Sequence, residues 1–94
     1  MAKSVNQRKL ILKAMSLLGD GDPVSQIELS RRINRLKIAR FVTSQSTVSK
    51  WLRSKTHRID FQYAICIDIL TDGEVSVSDF YPEITKAVSL QAAA

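Results

Sequence analysis

The stretch Thr43-Ser-Gln-Ser-Thr-Val-Ser-Lys-Trp-Leu52 gathers the residues of this chain best suited to chemistry. Serine and threonine are mediocre helix formers because their hydroxyls bond nearby backbone. Even so, Ser46, Thr47 and Ser49 surround one apolar stripe of Val48, Trp51 and Leu52. Capping a helix accounts for Ser44; it does not account for the other three. With Val48 and Trp51 turned inward, Gln45, Ser46, Ser49, Lys50 and Arg53 fall on the outward side of a helix over about 44–53. Short polar side chains let a helix sit deep in a groove. A glutamine can make a bidentate contact to adenine, and lysine or arginine can reach phosphates. The spacing thus predicts base reading by Gln45, Ser46 and Ser49. The plainer alternative is a solvated helix face.

Cations around this segment fit the same chemistry. Lys50, Arg53, Lys55 and Arg58, with Arg35, Lys37 and Arg40 upstream, form the set expected to hold a nucleic-acid backbone, assisted by the hydroxyls of Ser44 and Thr47. Other candidates are weak. His57 has no catalytic partner visible in sequence and reads as a surface residue. Cys66, between Ile65 and Ile67, reads as a small core residue. One cysteine and one histidine exclude an internal disulfide and leave too few soft ligands for structural zinc. The acids Asp68, Asp72, Glu74, Asp79 and Glu83 lack the spacing of a calcium loop and read as a solvated acidic face. No phosphate-binding Gly-rich loop, nucleophile elbow or zinc helix is present. A non-enzyme without metal or cofactor is expected.

Charge is unevenly spread. Thirteen of the fourteen basic residues and three of the nine acids lie in 1–58, a balance of +10. The rest holds Lys86 and six acids, a balance of −5. A positive segment joined to a negative one reads as an electrostatic footprint plus a structural or partner-facing part. At 94 residues, 45% hydrophobic and 24% charged, the chain has room for one modest core and is not a disordered polycation. No apolar run approaches the roughly 18 residues of a membrane span, and MAKSVNQRKL lacks the pattern of a signal peptide. The expected setting is the reducing cytoplasm, away from membranes.

The elements that must position these residues are helical. Ser4-Val-Asn-Gln7 resembles a capping box. Behind it Leu10, Ile11, Ala14, Met15, Leu17 and Leu18 recur at helical steps over roughly 4–18, before the stop at Gly19-Asp-Gly-Asp-Pro23. Ser25-Gln-Ile-Glu28 is a second box, opening a helix that buries Ile27, Leu29 and Ile33 and that Asn34 could end. Residues 35–43 are open between a continued helix, a short helix and a basic loop. Asp60 caps a helix holding Phe61, Ala64, Ile65, Ile69 and Leu70, ended by Asp72-Gly73. Glu74-Val-Ser-Val-Ser78 alternates over too few residues to be more than a short strand or an extended arm at about 74–77, and 78–84 could add one helical turn. Residues 85–94 are a tail in which Ala92–Ala94 could be a cloning scar.

Gln26-Ile-Glu-Leu29-Ser30-x-x-Ile33-Asn34 followed by Ser44-Gln-Ser-Thr-Val48-Ser-Lys-Trp51 resembles a helix-turn-helix of the Cro/repressor class, closest to the YdaS-like group of phage-derived regulators. That group's recognition helix reads SQSTVSKW or nearly so. Its first helix carries glutamine, then leucine and a small residue, then another apolar residue and a turn glycine. Downstream, Gly73-Glu-Val75-Ser76 and Asp79-Phe80-Tyr-Pro82-Glu83-Ile84 are similar to the group's tail, so the likeness covers roughly 8–84. The departure is the long connection at 34–43. A second alignment takes Ile38, Ala39 and Val42 as the first helix's apolar set, with the turn glycine deleted.

The resemblance implies an all-α Cro/repressor-like domain of four or five helices over 1–84, with a short C-terminal arm and its helix-turn-helix at about 25–53. It also implies double-stranded DNA as the partner of a homodimer, and repression of a promoter of a phage or other mobile element. Residues 59–84 are the expected pairing region, with Val75, Val77 and Phe80 as apolar groups that a monomer has little means of covering. Two rivals remain: an antitoxin whose acidic part holds a toxin, and an adaptor whose basic face meets an acidic protein.

Overall fold

Local signals set the helix boundaries, and tertiary bonds then decide what faces inward. The computed structural model describes residues 6–40, 42–54 and 58–83. Along them run five α-helices and no strand: α1 (Gln7–Leu18), α2 (Gln26–Arg35), α3 (Gln45–Arg53), α4 (Phe61–Leu70) and the single turn α5 (Val77–Phe80). Ser25 and Ser44 cap α2 and α3, their hydroxyls accepting from the amides of Glu28 (3.1 Å) and Thr47 (3.3 Å). At α1 the cap is Asn6, which accepts from the Lys9 amide at 3.1 Å; Ser4 lies outside the described residues. Only half of the second expected box forms, because the Glu28 carboxylate turns to Arg32. Asp60 precedes α4 without a side-chain cap bond.

The stops are equally local. After α1, Gly19 approaches the next turn so closely that a Cβ there would lie 1.6 Å from the Asp22 carbonyl oxygen, and no other residue fits. After α4, Asp72 and Gly73 take positive φ values of 52° and 81°, and the Gly73 amide bonds back to the Asp68 carbonyl at 2.9 Å.

One core forms from all five helices. Ile11, Leu29, Ile33, Val48, Ile59, Ile67, Val75 and Phe80 are fully buried in it, with Trp51 and Tyr63 stacked at a tilt, centroids 5.3 Å apart. Four expected inward residues are instead substantially exposed: Leu17, Ile27, Phe61 and Ile69. On α4 periodicity overshot because that helix is apolar nearly all round and presents Phe61 and Ile69 on its outer side. No helix among the described residues is long and apolar enough to cross a membrane.

The C-terminal segment corrects two expectations. Val75 and Phe80 are fully buried within the monomer, so they are not available to pair with a second copy; Val77 is half-buried. Nor is 74–77 an arm. The Thr71 hydroxyl donates to the Ile67 carbonyl (2.8 Å) and accepts the Val75 amide (3.1 Å), while Asp68 accepts the Val77 amide (3.0 Å). These bonds fold the chain back beneath α4. Asp79 then caps the new turn by accepting the Ser76 amide at 2.9 Å.

Candidate nucleic-acid interface

The helix-turn-helix-like pair is α2 and α3, which pack on one another and contribute Leu29, Ile33 and Val48 to the common core. Along α3 the division anticipated from the sequence is present except at Ser49, which is expected outward and is half-buried. Val48 and Trp51 are buried, Gln45, Ser46, Lys50 and Arg53 are exposed, and Thr47 and Ser49 are half-buried. Ser44 is exposed at the cap, its hydroxyl also 3.3 Å from that of Thr47. Arg53 reaches back to the Ser49 carbonyl at 3.4 Å, a long contact on the solvent side. The side chains of Gln45, Ser46 and Lys50 have no hydrogen-bond or ion-pair partner among the described residues. One face of α3 is thus short, polar and unengaged, with cations toward its C-terminal end.

A shallow groove of about 560 Å³ extends that end, floored by Trp51 and Tyr63 and rimmed by Lys50, Arg53 and Arg58. Arg58 was expected on the same backbone-holding surface. It is paired instead with Glu83 and stacked over the Tyr81 ring, 4.6 Å from the centroid. The carboxyl of Glu83 is held below the ordinary glutamate range, first by its own backbone amide and then by Arg58. Tyr81, whose hydroxyl donates to the Ile59 carbonyl at 2.5 Å, has its phenol pushed up by desolvation. Lys55 and His57 lie outside the described residues.

Between α2 and α3 the basic-loop alternative is the one found. Leu36 and Ala39 pack on the core, whereas Arg35, Lys37, Ile38, Arg40 and Val42 are exposed. That pattern removes the alignment that made Ile38, Ala39 and Val42 one helix face. Asn34 does not end α2; its side chain clamps the loop, donating to the Thr43 carbonyl (2.9 Å) and accepting the Thr43 amide (2.8 Å). Lys37 takes the left-handed conformation instead, at φ 55°. A third tie joins the Arg40 amide to Gln62 Oε1 at 2.8 Å. The loop is long but closed at its base, and it sets Thr43 at the entrance to α3.

Gln7 is the positioning residue that the sequence reading missed. It is buried, donates from Nε2 to the Trp51 carbonyl at 3.0 Å, and accepts the Ile59 amide at 2.6 Å. It therefore fixes the last turn of α3 and the chain leaving it. A signal existed: Gln7 continues the inward row of Ile11, Ala14 and Leu18 at helical spacing, and a glutamine on that row needs partners inside. Its assignment to a capping box hid this.

Glu28 is held below the usual carboxylate range, chiefly by its hydrogen bond to Arg32 and less by the nearby Arg35 and Arg31 charges. Burial pushes the Cys66 thiol up, as suits an inert core cysteine. Compared with protein-family models, curated proteins and solved structures, the chain matches none.

Proposed function

We propose that the protein is a sequence-specific double-stranded DNA-binding regulator, a binder and not a catalyst, with α3 as its recognition helix. The outward face of α3 carries this reading. Gln45, Ser46 and Ser49 offer short hydrogen-bonding groups at the depth a major groove requires, and Lys50 and Arg53 supply phosphate contacts beside them. Arg35 at the end of α2, and Lys37 and Arg40 on the closed loop ahead of α3, add positive charge. The likeness of SQSTVSKW and of the 73–84 tail to YdaS-like Cro/repressor regulators supports repression by promoter occlusion on a phage or other mobile element.

A homodimer belongs to the same proposal, since a lone helix-turn-helix reads few base pairs and symmetric half-sites are the usual remedy. With Val75 and Phe80 internal, one apolar surface still open to a second copy is the outer stripe of α4. Phe61 and Ile69 are 47% and 48% exposed there, with Ile65 half-buried between them. The deciding experiment selects bound duplexes from a random pool using the full chain, then titrates the winner against salt. A recurring motif, and an affinity falling steeply with salt through counterion release, is the expected result. No preferred duplex, or an affinity that hardly moves between low and physiological salt, overturns the reading.

A further inference from the structure

The chain entering α3 presents a side chain that neither folding nor charge explains. The cap itself, Ser44, is extended, with φ −122° and ψ 170°. Thr43 is 2% exposed and tied to Asn34 at both its amide and its carbonyl. Its two neighbours, Val42 and Ser44, are both exposed. Val42 is 84% exposed, well above the other exposed large hydrophobics described, which lie between 40% and 48%.

A single apolar group on a surface is ordinary. Val42 differs in its placement and its anchoring. It stands two residues ahead of the Ser44 cap, close in the chain to Gln45, where a recognition helix comes nearest to base edges. The residue after it is clamped twice, and β-branching restricts its own χ1. Lys37 and Arg40 share with it a small groove of about 220 Å³, so cations flank the methyl groups.

We infer that Val42 is a specificity-determining residue that packs against the C5-methyl of a thymine in the major groove. The inference rests on the DNA reading proposed above. Thymine is the base that shows an apolar group on its major-groove edge, and apolar side chains read it. Val42 supplies a matching apolar surface, while Lys37 and Arg40 are placed to meet the neighbouring phosphates. Burying one methyl group is worth about fourfold in affinity, which sets the scale of the effect.

The test uses the duplex recovered from the random pool, with each thymine of one half-site replaced in turn by deoxyuridine, which lacks only the methyl group. Wild type and Val42→Ala are measured side by side, and thermal unfolding checks that the exposed substitution leaves the fold intact. Wild type should lose about fourfold at one position. Val42→Ala should lose about as much on the intact duplex and be indifferent to deoxyuridine at that position. Identical deoxyuridine profiles for the two proteins, or no sensitive position in wild type, overturn the Val42 assignment while leaving DNA binding in place. A pool that returns no preferred duplex overturns the DNA reading and this assignment together.

Discussion

On α3 the outward side chains of Gln45, Ser46 and Lys50 find no partner among the described residues. Across 59–83, by contrast, Asp68, Thr71, Asp79 and Tyr81 each hold a backbone group of the same chain. Both regions are rich in hydroxyls and charges. In the acidic one they close a fold-back that buries Val75 and Phe80. In the basic one they are left outward, on a helix whose serines do nothing for its intrinsic stability. Polar residues that the fold uses need no second explanation, and polar residues that it leaves unused do. For that reason the functional reading belongs on α3, and the C-terminal segment is better read as part of the scaffold.

The strongest way to break this contrast is Phe80→Ala. The ring is fully buried, and truncating a buried phenylalanine costs about 3–5 kcal/mol. A small domain has only about 5–15 kcal/mol in total, so the variant should show a much lower denaturation midpoint. Cutting the chain after Gly73 should likewise unfold it, because Val75 leaves the core as well. A truncated chain that melts like the full one would return 74–83 to the surface and undo the comparison.

Gln7→Leu comes next. It strands the Trp51 carbonyl and the Ile59 amide, each a buried group whose lost partner costs about 1–3 kcal/mol. Urea unfolding should report the loss. Because Gln7 anchors the last turn of α3, binding to the selected duplex should weaken also at temperatures where the variant is fully folded. Normal binding by the folded variant would separate Gln7 from the recognition surface.

What the sequence made legible follows the range of the forces involved. Caps and stops such as Ser25, Ser44 and Asp72-Gly73 act over a few residues and could be read directly. So could Val48 and Trp51, since α3 has a single apolar side. Cys66 was legible as a core residue from its type and neighbours, but α4 is apolar nearly all round, and periodicity could not decide that Tyr63 and Ile67 face inward while Phe61 and Ile69 do not. The fold-back at 74–80 was hidden for another reason. Its pattern is too short to show a period, and the Thr71 and Asp68 bonds that hold it exist only once the chain has turned. The Asn34–Thr43 clamp spans nine residues, and nothing in the spelling of the loop announces it.

Gln45→Ala sharpens the comparison from the other side. Gln45 is exposed and unengaged, so thermal unfolding should match wild type. On the selected duplex the variant should lose roughly 1–3 kcal/mol, with little change on random duplex, relaxing choice at one base pair per half-site. Equal losses on both duplexes would make Gln45 a phosphate brace. Base reading would then have to come from Ser46, Ser49 or the loop ahead of the helix.

The smallest expected effect is the most discriminating about where the interface ends. Lys50 has no partner among the described residues, whereas Arg58 is engaged by Glu83 and by the Tyr81 ring. Lys50→Ala should make the salt slope of DNA binding shallower by about one phosphate contact, and Arg58→Ala should leave it unchanged. The cost of Arg58→Ala should appear in stability at neutral pH instead, and shrink as the solution is made acid. Glu83 has a lowered folded-state pKa, so its contribution is present at neutral pH and is lost as pH falls below 4.5, through that lowered value. Its carboxyl resonance should titrate below 4.5 in wild type. In Arg58→Ala it should move up without returning fully, because its own backbone amide still holds it. A slope reduced equally by both substitutions would place Arg58 on the DNA face and extend the recognition surface across the 54–58 connection to the acidic half.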